Sequence, residues 1–114
     1  MPEADWKFRV EDTLGCMERA ANYTRGMSPE DFGKSEMALG AVERNFITIG
    51  EAANHIPEDL REKYTEVPWR EITNMRNVVA HRYFGVNPRI IWNAIHEDFP
   101  RIAPKLEHIL ESES

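Results

Sequence analysis

The stretch Leu39-Gly40-Ala41-Val42-Glu43-Arg44-Asn45-Phe46-Ile47-Thr48-Ile49-Gly50-Glu51-Ala52-Ala53-Asn54-His55-Ile56 decides the fold class. Its large apolar positions 39, 42, 46, 49, 53 and 56 follow one another in alternating steps of three and four. That spacing lines one face of an α-helix and marks a seam between packed helices. A half-buried strand would alternate at every second residue, and no such run is present. Upstream, Trp6, Val10, Leu14, Met17 and Ala21 predict a first long helix. Its stripe continues onto the polar Thr24, and Gly26 is a natural stop. Ser28-Pro29-Glu30-Asp31 has the order of an N-cap, a first-turn proline and two acids, so a short helix anchored by Phe32 follows.

Downstream, Pro57 opens a short helix to Tyr64. Pro68 opens another, in which Trp69, Ile72, Met75 and Val79 share a face and Gly85 is a natural stop. Trp92, Ile95, Phe99, Ile102, Leu106 and Ile109 repeat the seam spacing in a final helix. Pro100 and Pro104 interrupt it, so a kink or break is expected near residue 100. The expectation is an all-α antiparallel up-down bundle of about three long and two short helices, a single domain over residues 1–114. Ile47, Val78 and Ile91 lie off the main seams and are candidates for a second, homodimeric interface.

The hydrophobic share of 41% is too high for a disordered chain. Cys16 has no second cysteine to pair with, which predicts a packed thiol in a reducing compartment. The start of the chain has neither the basic nor the apolar segment of a secretory leader, and no run is long enough to span a bilayer. A cytoplasmic protein without a membrane partner is the expectation. The formal net charge of −6 argues, taken whole, against a nucleic-acid partner. Its distribution argues otherwise: residues 70–89 hold Arg70, Arg76, Arg82 and Arg89 against Glu71 alone. That stretch is net +3, while the rest, with ten basic against nineteen acidic residues, is net −9.

Within it, Arg76, Asn77, His81 and Tyr83 fall inside eight residues. An imidazole can take the 2′-hydroxyl proton of RNA and return a proton to the leaving oxygen. A guanidinium is a permanently charged fork for phosphate oxygens. An amide can orient either the substrate or the histidine, and no metal or other cofactor is needed where the 2′-hydroxyl is an internal nucleophile. Asn77 and His81 share a helical face, but Arg76 and His81 are turned from each other by roughly 140°. The reach of arginine, distortion at the helix end, or a two-fold axis bringing Arg76 of one chain to His81 of another would unite them, and the last two are favoured. Spacing alone equally allows Arg76 to be ion-paired, His81 to be a helix-end residue and Tyr83 an amphipathic anchor.

The chain resembles the HepT-like branch of the HEPN superfamily over nearly all of residues 5–110. In the first half the resemblance is carried by Gly26-Met27-Ser28 with Asp31-Phe32, by Val42-Glu43-Arg44-Asn45-Phe46 and by Ile49-Gly50-Glu51-Ala52-Ala53. In the second it is carried by Pro68-Trp69-Arg70-Glu71-Ile72, Met75-Arg76-Asn77 and Tyr83-Phe84-Gly85-Val86, with the motif R-x4-H-x-Y complete as Arg76, His81 and Tyr83. The resemblance implies a metal-independent endoribonuclease toxin acting as a homodimer, with Arg76 and His81 catalytic and Asn77 supporting them. It also implies a minimal nucleotidyltransferase antitoxin that transfers AMP from ATP onto Tyr83, placing phosphate charge where RNA would bind. One departure is Arg82, where such proteins often carry glycine.

Arg70, Arg82 and Arg89 are candidate RNA contacts, and Glu51 a candidate support for a catalytic side chain. Glu51 and His55 have a spacing that metal sites use, but no further ligand completes a set, and a helix-end contact is the simpler expectation. Trp69 and Trp92 lie on apolar stripes and read as core. A different class of function is a non-catalytic RNA- or nucleotide-binding subunit of a nucleotidyltransferase complex, which keeps the basic stretch and needs no base.

Overall fold

The computed structural model describes residues 3–80 and 87–113, with side chains over 5–79 and 87–113. These residues form an all-α bundle without a strand among them. Helix α1 (Glu3–Tyr23) packs along α3 (Glu36–Asn54), with the short α2 (Pro29–Lys34) between them in the chain. Three short helices follow, α4 (Glu58–Lys63), α5 (Trp69–Thr73) and α6 (Met75–Ala80). The last long element is composite: α7 (Pro88–Asn93), a π-helical turn (Ala94–Asp98) and α8 (Phe99–Ser112). It packs back onto α1, and α5 and α6 close over α3.

Local chemistry explains the boundaries. The Ser28 hydroxyl accepts from the Asp31 amide and the Asp31 carboxylate accepts from the Ser28 amide, a capping box that starts α2. Gly26 ends the α1 turn at φ +80°, where a side chain would be strained. The five seam positions on α3, Leu39 to Ala53, are buried, and so is the sixth, Ile56, just past the helix end. In α1 the buried face drifts: Thr13 and Ala20 are buried where Leu14 is only half-buried and Ala21 is exposed. Thr24 is buried too, and its hydroxyl is satisfied by the Ala20 and Ala21 carbonyls and by His96 Nε2 at 3.0 Å. Cys16 is buried as expected, and burial pushes its thiol pKa up.

One element differs from expectation, and one expected break takes a specific form. The helix predicted after Pro68 is divided at Asn74, which caps α5 before α6 begins; the stop predicted at Gly85 lies outside the described residues. The break expected near residue 100 is the π turn just before Pro100. Proline cannot donate to the carbonyl four residues back and its ring crowds that carbonyl. A locally widened turn accommodates both effects. The wider turn also uses more residues per revolution, so Ile91, not Trp92, lines up above Ile95 and Phe99. Ile91 is therefore fully buried, which removes it from the candidate second interface. Of the other two, Val78 is half-buried against the core and Ile47 is exposed.

Candidate active site

α6 is held against α3 by a close backbone approach. A Cβ added at Gly50 would stand 2.8 Å from Arg76 Cβ and 3.0 Å from both the Arg76 amide nitrogen and the Thr73 carbonyl. Only glycine lets the two helices meet here, and the contact falls on the Cβ and backbone nitrogen of Arg76 itself. Ile72, Met75 and Val79 are buried on this side of α5–α6. Arg76 and Asn77 are exposed. Glu51, the residue after Gly50, is exposed on α3. His55 Nδ1 donates to the Glu51 backbone carbonyl at 2.8 Å, so this pair makes a helix-end contact and the Glu51 carboxylate is not used in it.

Asn77 looks onto a second feature. Its amide Nδ2 donates to Asn74 Oδ1 at 3.0 Å. Both residues, with Arg61, Arg70 and Thr73, line an open recess of about 350 Å³ between α4 and α5–α6. Arg61 is locked there: Nε donates to the Ile56 carbonyl at 3.1 Å and Nη2 to the Ala53 carbonyl at 2.8 Å, closing the end of α3. α4 is tied in turn to the end of α8, where Lys63 Nζ meets the Glu113 carboxylate at 2.7 Å and the Tyr64 hydroxyl donates to the same oxygen. These contacts hold the Glu113 carboxyl below its usual range, chiefly through the Lys63 hydrogen bond and then that of Tyr64. α5 is fixed from its far side by Arg101 of α8, which reaches Glu71 at 3.0 Å.

The candidates named from sequence therefore separate. Arg70 and Asn77 share one recess, and Arg76 and Glu51 flank the contact at Gly50. Arg89 lies elsewhere, lining a different recess of about 400 Å³ with α2 residues, its Nη1 3.6 Å from Glu30. His81, Arg82 and Tyr83 lie outside the described residues. Arg61, Thr73 and Asn74 were not singled out in the sequence. Among the described residues no group of three or more metal-ligating side chains converges.

With this arrangement in hand, relatedness adds a family. The family model described as Ribonuclease HepT-like matches residues 13–109. A protein of Caldanaerobacter subterraneus subsp. tengcongensis named "Putative RNase TTE0752" is 43% identical over 104 residues, covering 91% of this chain and 93% of its own. "Probable ribonuclease HepT" of Thermococcus cleftensis is 37% identical over 103 residues, covering 90% and 94%. "Putative RNase MJ0125" of Methanocaldococcus jannaschii is 36% identical over 111 residues, covering 97% and 96%. No solved structure matches the chain. The chain belongs to the HepT-like ribonuclease family, whose matched span includes both sides of the Gly50 contact and the whole of Arg76–Tyr83.

Proposed function

We propose that this chain is a metal-independent endoribonuclease whose active site is built from Arg76, Asn77 and His81. The observation that carries this is a complete R-x4-H-x-Y motif inside a family match spanning residues 13–109. His81 takes the proton from a ribose 2′-hydroxyl, and the freed 2′-oxygen attacks the adjacent phosphorus. The bond from phosphorus to the 5′-oxygen breaks, and that oxygen receives a proton. The products are a 2′,3′-cyclic phosphate and a 5′-hydroxyl. Arg76 holds the phosphoryl oxygens as charge builds on them. Asn77 orients the reacting groups, Glu51 supports a catalytic side chain, and Arg82 adds a phosphate contact.

The site completes itself in a homodimer. Arg76 and His81 are turned apart on a single helix by roughly 140°, and a two-fold axis brings one of each together from different chains. Exposed Ile47, on the helix that supports Arg76, belongs to that interface. The cellular role is that of a cytoplasmic toxin. A nucleotidyltransferase antitoxin silences it when the Tyr83 hydroxyl attacks the α-phosphorus of ATP and pyrophosphate leaves. The AMP phosphate then competes with RNA beside Arg76 and His81. Among the described residues no helix is long and apolar enough to cross a membrane.

The open recess beside Asn77 also suits a second reading, an RNA- or nucleotide-binding subunit without turnover. Incubation of purified protein with RNA in a chelator separates the two. Wild type shortens the RNA and His81→Ala leaves it intact if the site is catalytic. Equal cutting by both overturns the assignment of His81, and tight binding without cutting by wild type supports the second reading.

A further inference from the structure

Arg61 and Arg70 present two cations to one recess that no acidic side chain lines among the described residues. In a chain of twenty acidic and fourteen basic residues, Arg9, Arg89 and Arg101 each find a carboxylate. Among the described residues, Arg61 and Arg70 are not in such a pair. Glu58 and Glu62 flank Arg61 in a neighbouring recess, yet neither comes within ion-pair distance of it. The Arg61 guanidinium is already fixed by two main-chain carbonyls, so little freedom is lost when it meets an anion. Those carbonyls engage Nε and Nη2, and Nη1 remains for a ligand. Thr73 supplies a hydroxyl, and the Asn74–Asn77 hydrogen bond leaves the Asn74 amide nitrogen and the Asn77 amide oxygen unused by each other.

We propose that this recess seats one backbone phosphate of single-stranded RNA, a neighbour of the phosphate cleaved at Arg76 and His81. Paired arginines and a hydroxyl are donors suited to a phosphate, and every side chain lining this open recess carries a polar group. Asn77 joins the two places, since it lines the recess and is the chain neighbour of Arg76. The proposal rests on the ribonuclease reading for what happens next to the recess, but the recess itself is tested by binding. It also separates Arg70 from Arg89, whose charge is already engaged by Glu30.

The test uses full-length protein carrying His81→Ala, so that RNA is bound and not cut, and a fluorescently labelled short single-stranded RNA. Affinity is measured by anisotropy across a range of salt. Arg70→Gln is the variant, because Arg70 is exposed and its side chain makes no hydrogen bond or ion pair among the described residues. Arg25→Gln, which removes the same charge from the far end of α1, is the control. Arg70→Gln should weaken binding about threefold or more at low salt and flatten the slope of log Kd against log salt by roughly 0.7, one phosphate contact on a single strand. Arg25→Gln should leave the slope unchanged. Identical slopes for the two variants overturn the proposal, and if wild type still cuts RNA the ribonuclease reading survives that result. If Arg70→Gln flattens the slope while wild type cuts nothing, the recess stands and the ribonuclease reading falls.

Discussion

Arg70 and Arg89 belong to one basic stretch of sequence, yet the fold treats them differently. Arg70 opens onto a recess with Arg61 and Asn77 and has no acid partner among the described residues. Arg89 lies over α2 with Glu30 at 3.6 Å. A cluster of positive charge in sequence is therefore not one patch in space. Which cation is available to a phosphate depends on what the neighbouring helix contributes: α4 brings another arginine to the first recess, and α2 brings a glutamate to the second. Exposed ion pairs are weak, so Glu30 lowers the local potential more than it immobilises Arg89.

The largest effect expected on this comparison comes from the chemistry next to Arg70. His81→Ala should reduce single-turnover RNA cleavage by about 10²–10⁴-fold, the range for a general acid–base group, and Arg76→Ala by about 10²–10³-fold, the range for a group that stabilises developing charge, with melting temperatures close to wild type. Next comes the support beneath Arg76. Gly50→Ala places a methyl against the Arg76 and Thr73 backbone. It should cost about 1–3 kcal/mol, as overpacking does, and depress cleavage by up to about 10²-fold by displacing α6. Thermal melts read the first effect and cleavage rates the second, and a variant as stable and as active as wild type would remove the Gly50 contact from the account.

Smaller again is the contrast itself. Arg89→Gln should change RNA affinity by less than about twofold where Arg70→Gln changes it several-fold, so equal losses would make the two recesses equivalent. Smallest is the tie that holds α4, and with it Arg61. Because the folded Glu113 carboxyl titrates below its unfolded value, its contribution is present above the usual carboxylate range, roughly pH 4.3, and is lost as pH falls through the folded value. Glu113→Gln should therefore lower the melting temperature slightly at neutral pH, and melts repeated in acid should show the difference disappear.

Much of the fold was legible because one physical rule governed each legible part. The seam from Leu39 to Ile56 repeats a single spacing and all six of its positions are buried. Caps at Ser28 and Gly26 declare themselves by residue type. The misses occurred where two rules competed. Ile91 lies off the seam of Trp92, Ile95, Phe99 and Ile102 in sequence, whereas the π turn shifts the phase and buries it. The division at Asn74 has no proline or glycine to announce it. In the site, two of the five recess residues, Arg70 and Asn77, are legible from the basic stretch and the motif, whereas Thr73 and Asn74 carry no such mark in the sequence. Arg61 was not legible either, because its place depends on α4 folding back onto the carbonyls of Ala53 and Ile56. Gly50 was visible as part of a family pattern, but its reason, the approach of the Arg76 backbone, appears only in three dimensions.

In the proposed mechanism RNA itself supplies the nucleophile at a site made by Arg76 and His81. A short RNA cut at one position by the wild-type protein in chelator, and the same RNA with a single 2′-deoxy nucleotide on the 5′ side of that bond, test it most directly. Cleavage of the all-ribose strand to a 2′,3′-cyclic phosphate and no cleavage of the substituted strand is the predicted result. Cutting of both strands at similar rates would contradict it.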